Sequence, residues 1–255
     1  MKEFDTAYSL SMIPYTAYSS LDDYAEELIK DFAPDALKTP GVLDVDKFIE
    51  FYLRLEVDYR HLCLGNNILG ITAFNNGTVE VLNEQTMLAE VIPVKTGTVI
   101  INPTLLVKRN IPRLRFTMMH EGSHWLLHRK AFAEDNPFGP AGKYENQFIA
   151  AKEGRIDYSR SLKENTDIER MERQADFLAS AILMNRPALR IAYREVFKVY
   201  DEKPRRIVRR SSTMDDCLAQ ILPEYMAKTF GVSKRAALIR LEKLTAIVNS
   251  GQKQQ

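Results

Sequence analysis

Phe116-Thr117-Met118-Met119-His120-Glu121-Gly122-Ser123-His124-Trp125-Leu126-Leu127-His128 is the stretch that decides how this chain is read. Within it, H-E-x-x-H sets His120 and His124 four residues apart, with Glu121 beside the first. On a helix, residues i and i+4 share a face, so both imidazoles can point at one metal ion. Two neutral nitrogen ligands leave Zn²⁺ Lewis-acidic, and an adjacent carboxylate can take a proton from a polarised water. The five-residue pattern also arises by chance, so its surroundings must decide. His128 lies roughly 12 Å further along the axis than His120, too far for both to bind one ion on an unbroken helix. It reads instead as a residue that packs beside the site or supports a ligand.

Outward from this stretch, Arg113 to Lys130 reads as one helix. Histidines and a glutamate on an otherwise apolar body are costly to bury, and metal binding relieves that cost. A second informative helix spans Ile168 to Met184, with Ala175, Leu178, Ala179, Ile182 and Leu183 forming an apolar face. Glu172 lies on the edge of that face, where a carboxylate can meet the histidines of the other helix; Glu169, one turn earlier, is its rival. Asp176 is polar within an apolar run. It either accepts the second N–H of a ligand histidine, as metal sites commonly require, or lies on the helix surface.

Upstream, Ser20 to Phe32 carries apolar residues at helical spacing, with Ser20 as its expected cap, and Val45 to Leu53 reads as a second amphipathic helix. Between Leu55 and Ile101 the pattern changes to short strands at Val57–Tyr59, Ile68–Phe74, Thr78–Leu82 and Thr98–Ile101. Asn75-Asn76-Gly77 predicts a hairpin between the second and third. Ala131 to Asp167 is irregular at first, a length of loop expected to lie over a cleft. Within it Tyr144, Arg155 and Tyr158 are candidates, by composition alone, for stabilising an oxyanion.

Downstream, helices are expected at Pro187–Val199, Asp215–Leu222, Pro223–Phe230 and Lys234–Val248, with a tail that frays from Ser250. The Phe230-Gly231-Val232-Ser233 junction looks like a helix-turn-helix. With the basic run Lys203 to Arg210 it offers a DNA-binding alternative, weighed against a helical subdomain packed on an enzyme.

Composition is that of a globular protein of 255 residues, with 35 Lys+Arg against 34 Asp+Glu. That balance leaves no global electrostatic footprint for nucleic acid or membrane. Cys63 and Cys217 stand far apart and read as reduced structural thiols. The polar N-terminus lacks the apolar core of a signal peptide. No stretch approaches the roughly 20 apolar residues that span a bilayer. A cytoplasmic protein with no membrane association is expected.

With both helices in view, the chain resembles the ImmA/IrrE family of zinc metallopeptidases, the M78 peptidases. The resemblance rests on R-x-R-F-T-x-x-H-E-x-x-H-x-x-L-H, here Arg113 to His128, followed by E-x-x-A-[ND]-x-[FL]-A-x-x-x-L-M, here Glu172 to Met184. Asn185 departs from the proline usual after Leu-Met, and the stretch between the motifs is longer than usual. The resemblance implies His120, His124 and Glu172 as ligands of Zn²⁺ and Glu121 as general base. Three protein ligands and one open position is the catalytic arrangement, whereas a structural zinc is closed by four. It also implies a protein substrate, a helix-turn-helix repressor of transcription. The fold expected is α+β and zincin-like: a small antiparallel sheet, the H-E-x-x-H helix and a helical C-terminal subdomain. The division expected is a peptidase domain over 1–195 and the helical subdomain over 196–255. The alternative is a DNA-binding regulator whose metal site is structural or vestigial.

Overall fold

The computed structural model describes residues 16–63, 68–132, 148–152 and 167–249, with the backbone alone at 148–152 and 248–249. The fold is mixed α/β. Six α-helices among these residues, α1 (Tyr18–Phe32), α2 (Ile111–His128), α3 (Asp167–Leu183), α4 (Arg186–Val199), α5 (Thr213–Phe230) and α6 (Lys234–Lys243), accompany three small sheets. The chain forms two compact units, one of residues up to Tyr24 with Asp44–Ala179, the other of Ala25–Leu43 with Ser180 onward. None of these helices is long and apolar enough to cross a membrane.

The first unit is built on a four-stranded sheet. Its strands are β1 (Glu56–Tyr59), β2 (Ile68–Ala73), β5 (Thr98–Ile101) and β6 (Phe148–Lys152), in the order β1-β5-β2-β6. It is mostly antiparallel: β2 pairs antiparallel with β5 and β6, while β1 runs parallel to β5. β6 falls in the stretch whose sequence reads as loop. A separate hairpin pairs β3 (Gly77–Asn83) with β4 (Leu88–Val94). Ile71, Ala73 and Ile100 of the sheet pack with Val79, Val81 and Val94 of the hairpin, so one face of the sheet is closed by the hairpin. Gly70 and the Thr72 side chain alternate to the opposite face, where α2 lies.

The expected hairpin at Asn75-Asn76-Gly77 does not form, because β2 and β3 belong to different sheets. None of the three residues takes the positive φ that a two-residue hairpin turn requires. Instead Asn75 donates to the Phe132 carbonyl and Asn76 accepts from the Thr96 N–H, making a corner between sheets. β4 carries Pro93, which is compatible with a strand here because β4 is paired on one side only among the described residues.

Lys47–Tyr52 winds as a wide π-type helix, with the Leu53 N–H reaching back to the Phe48 carbonyl, where the sequence suggested an α-helix. It buries Phe48 and Ile49. Ile49 packs on α2 at Gly122, where a Cβ would stand 2.5 Å from Ile49 Cδ1. Tyr18 of α1 stacks on Phe177 of α3 at 4.4 Å between ring centroids. α1 begins at Tyr18, two residues before Ser20, so Ser20 lies in its first turn rather than at the cap.

In the second unit, α5 runs through Pro223 as one helix where two were expected. Leu218, Leu222, Pro223 and Met226 are all buried, and that burial outweighs the hydrogen bond the proline removes. Gly231, at φ 64°, ends α5, and Ser233 caps α6 by accepting from the Ala236 N–H. α6 stops at Lys243, short of the expected Val248. The chain then turns through Thr245 at positive φ, and β8 (Ile247–Asn249) pairs in parallel with β7 (Ile207–Arg209). Asn185, the departure from the family pattern, caps α4: its side chain accepts from the Ala188 N–H and donates to the Ala36 carbonyl.

Candidate metal centre

α2 enters with Pro112 in its first turn, where a missing N–H costs nothing, and packs its middle against β2 and β5. The polar side chains of its second half are inside: His120, Glu121, Ser123, His124 and His128 are all buried. Ser123 satisfies itself by donating to the Met119 carbonyl. Trp125, next to His124 in the chain, lies parallel to Phe74 and under the Arg129 guanidinium.

The Nε2 atoms of His120 and His124 lie 2.9 Å apart. The Glu172 carboxylate, brought in by α3, reaches both: Oε2 is 3.5 Å from His120 Nε2 and Oε1 is 3.6 Å from His124 Nε2. These three side chains form the group of metal-ligating residues that converges among the described residues. Donors each about 2.0–2.1 Å from a tetrahedral ion stand about 3.3 Å from one another, so the spacings suit one small cation. The outward nitrogens are engaged elsewhere. His120 Nδ1 meets Asp176 Oδ1 at 2.9 Å, and His124 Nδ1 meets His128 Nδ1 at 3.0 Å. The donor set therefore fits a metal ion held through Nε2, Nε2 and a carboxylate.

Electrostatics point the same way. Burial alone would lower the His120 pKa, but hydrogen bonds and charge from Asp176 and Glu172 outweigh it and raise it well above the ordinary value. Two carboxylates beside a buried imidazole make a pocket that attracts a cation. Burial and the neighbouring histidines push His124 well below the ordinary value. Burial likewise lowers His128, to about 4, against a smaller opposing contribution from Gln174.

Glu121 sits on the β2 side of the helix and is fully buried. Thr72 Oγ1 donates to Glu121 Oε2 at 2.6 Å and also lies 3.1 Å from the Glu121 carbonyl. Two residues earlier on the same strand face, Gly70 leaves the space that Glu121 fills. A Cβ at Gly70 would stand 3.0 Å from Glu121 Oε1 and 3.0 Å from Thr117 Cγ2. Thr72 and Gly70 carry no signal in the sequence, since strand register alone brings them to the site.

The structure thus brings together His120, His124, Glu172 and Asp176, with Glu121 on the neighbouring side of α2; Asp176 faces His120 rather than the helix surface. Tyr144, Arg155 and Tyr158, and the tail from Ser250, lie outside the described residues. Cys63 and Cys217 are free thiols. In the second unit, α6 buries Ala236, Ala237, Ile239, Arg240 and Leu241, and exposes Lys234, Arg235 and Lys243. Arg205 pairs with Asp215 and Glu202, and Arg209 with Glu242. These contacts draw two guanidinium groups of the basic run toward carboxylates of the chain itself.

The family model for the M78 peptidases, described as an IrrE N-terminal-like domain, matches residues 92–242. That span runs from within β4 to the last turn of α6 and includes both helices of the site. No curated protein matches the chain.

Proposed function

The chain belongs to the M78 peptidase family, the ImmA/IrrE-type peptidases, and from that premise we propose that it is a zinc-dependent endopeptidase. The single observation that carries the reading is the convergence of His120 Nε2, His124 Nε2 and the Glu172 carboxylate beside a buried Glu121. His120, His124 and Glu172 would hold the ion. When bound there, zinc supplies Lewis acidity toward water and the substrate carbonyl. Glu121 is the general base: its carboxylate takes the proton of the attacking water and returns it to the leaving amine. Asp176 accepts from His120 Nδ1 and so keeps Nε2 directed inward. Thr72 holds one oxygen of Glu121 fixed, so the carboxylate does not have to be reoriented during the reaction.

The substrate we propose is a helix-turn-helix repressor of transcription, met in the cytoplasm; the family resemblance supports this. The test is Glu121→Gln. The variant keeps its zinc stoichiometry and loses cleavage of a helix-turn-helix repressor offered as substrate, by about 10²–10⁴-fold. Cleavage by Glu121→Gln at the wild-type rate removes Glu121 from the role of base.

A further inference from the structure

Beyond the residues that carry the proposed chemistry, α2 and α3 share a second buried polar contact. His124 Nδ1 lies 3.0 Å from His128 Nδ1, and His128 Nε2 lies 3.1 Å from Gln174 Oε1. The three side chains are 0%, 1% and 6% exposed. When two imidazoles meet Nδ1 to Nδ1 at hydrogen-bond distance, one nitrogen carries the proton and the other accepts it. The amide oxygen at the end of the row only accepts. His128 must therefore place its proton on Nε2, toward Gln174. His128 Nδ1 is then a lone pair, and His124 must donate to it from Nδ1. That leaves His124 Nε2, the atom facing His120 and Glu172, unprotonated.

We propose that Gln174, acting through His128, sets the tautomer of His124 that can bind a metal ion. His128 and Gln174 are positioning residues for the metal centre, and this inference rests on the reading of His124 as a ligand. The two histidines are thereby supported unequally. His120 donates to an anionic partner, Asp176, and His124 to a neutral one. The row also explains a third buried histidine on α2 that stands too far along the helix to share the ion. The amide orientation matters most: turned over, Gln174 would donate to His128 Nε2 and put the proton of His124 on Nε2, closing the site.

The experiment measures Zn²⁺ affinity of the full chain by competition with a chromophoric chelator, and thermal unfolding in excess EDTA as a check on folding. His128→Leu, which cannot accept from His124, weakens zinc binding about 10–100-fold. His128→Asn, whose Oδ1 can stand near the position of the lost Nδ1, recovers most of that loss. In zinc-loaded wild-type protein, ¹⁵N NMR of the imidazoles shows His128 protonated at Nε2 and bare at Nδ1; this readout decides the matter even if the leucine variant does not fold. Zinc affinity unchanged in His128→Leu, no recovery in His128→Asn, or a His128 protonated at Nδ1 each overturns the proposal. His124→Ala separates the two levels. If it binds zinc like wild type, the metal-site reading falls and this inference with it. If it loses zinc while His128→Leu does not, the relay alone is wrong.

Discussion

Thr72→Val isolates the contact that fixes Glu121. Both residues are 0% exposed, and the 2.6 Å separation from Thr72 Oγ1 to Glu121 Oε2 is that of a charge-assisted bond. Valine keeps the branched Cβ and the strand preference of threonine, so the substitution removes the hydroxyl and little else. A buried hydrogen bond to an ionised group contributes about 1.5–3 kcal/mol, and a loss of about 2 kcal/mol is expected in the metal-free protein. In the Glu121→Gln background the acceptor is a neutral amide oxygen, and the same substitution costs about half as much, about 1 kcal/mol. The difference is the charge-assisted part, read as a double-mutant cycle. Guanidinium unfolding followed by fluorescence of Trp125 measures it locally, because the chain has one tryptophan and it is next to His124 on α2. With a denaturant slope of about 4 kcal/mol/M, the larger loss moves the midpoint by about half a molar unit. Equal penalties in the two backgrounds, or a Thr72→Val midpoint identical to wild type, refutes the claim that this hydroxyl holds an ionised Glu121.

Three other perturbations follow, two of them at the same site. Asp176→Ala removes the acceptor of His120 Nδ1 and lowers zinc affinity about 10–100-fold, with Asp176→Asn in between; chelator competition measures both, and an unchanged affinity counts against Asp176 as the residue that orients His120. Gly70→Ala puts a Cβ 3.0 Å from Glu121 Oε1, so the carboxylate shifts while the ligands stay in place. Cleavage falls by up to about 100-fold at undiminished zinc content by elemental analysis. In the second unit, burial would raise the Asp215 carboxyl, but the Ser211 hydroxyl, the Val208 N–H and Arg205 outweigh it and hold it below the ordinary range. A lowered folded-state pKa stabilises fully above the unfolded value of about 3.9 and is lost as pH falls through the folded one. Asp215→Asn is therefore less stable than wild type at pH 7, and the gap closes in acid; an equal gap at pH 7 and pH 2 refutes it.

What the sequence made legible was local. The i, i+4 spacing of His120 and His124 follows from helix geometry, and Glu172 follows from the second helical motif, because each needs only one element to be correct. Apolar periodicity likewise placed α1 and its buried residues Leu21, Tyr24, Ala25, Leu28 and Ile29. Readings failed where a tertiary partner overrides a local signal. Pro223 suggested a break, yet a buried face carries α5 through it. Asn75-Asn76-Gly77 suggested a hairpin, yet side-chain bonds to Phe132 and Thr96 make it a corner. Ile247 and Val248 continued a helical pattern, yet β7 supplies them with strand partners.

The same distinction runs through the site itself. Asp176 and His128 could be read from the chain as candidates beside the proposed ligands, whereas Thr72 and Gln174 could not be given a partner. Thr72 lies 49 residues before Glu121, and Gln174 lies 46 residues after His128; neither interval carries a period or a motif. Their roles exist only once β2 is packed in register on α2 and α3 brings Gln174 to His128. A two-histidine, one-carboxylate set without such support would still bind a cation, but with imidazoles free to rotate and change tautomer. Substitutions at His128 and Gln174 should therefore separate metal binding from the fold, because these side chains act on a proposed ligand, whereas Thr72→Val also costs stability because its hydroxyl reaches the Glu121 carbonyl as well as the carboxylate.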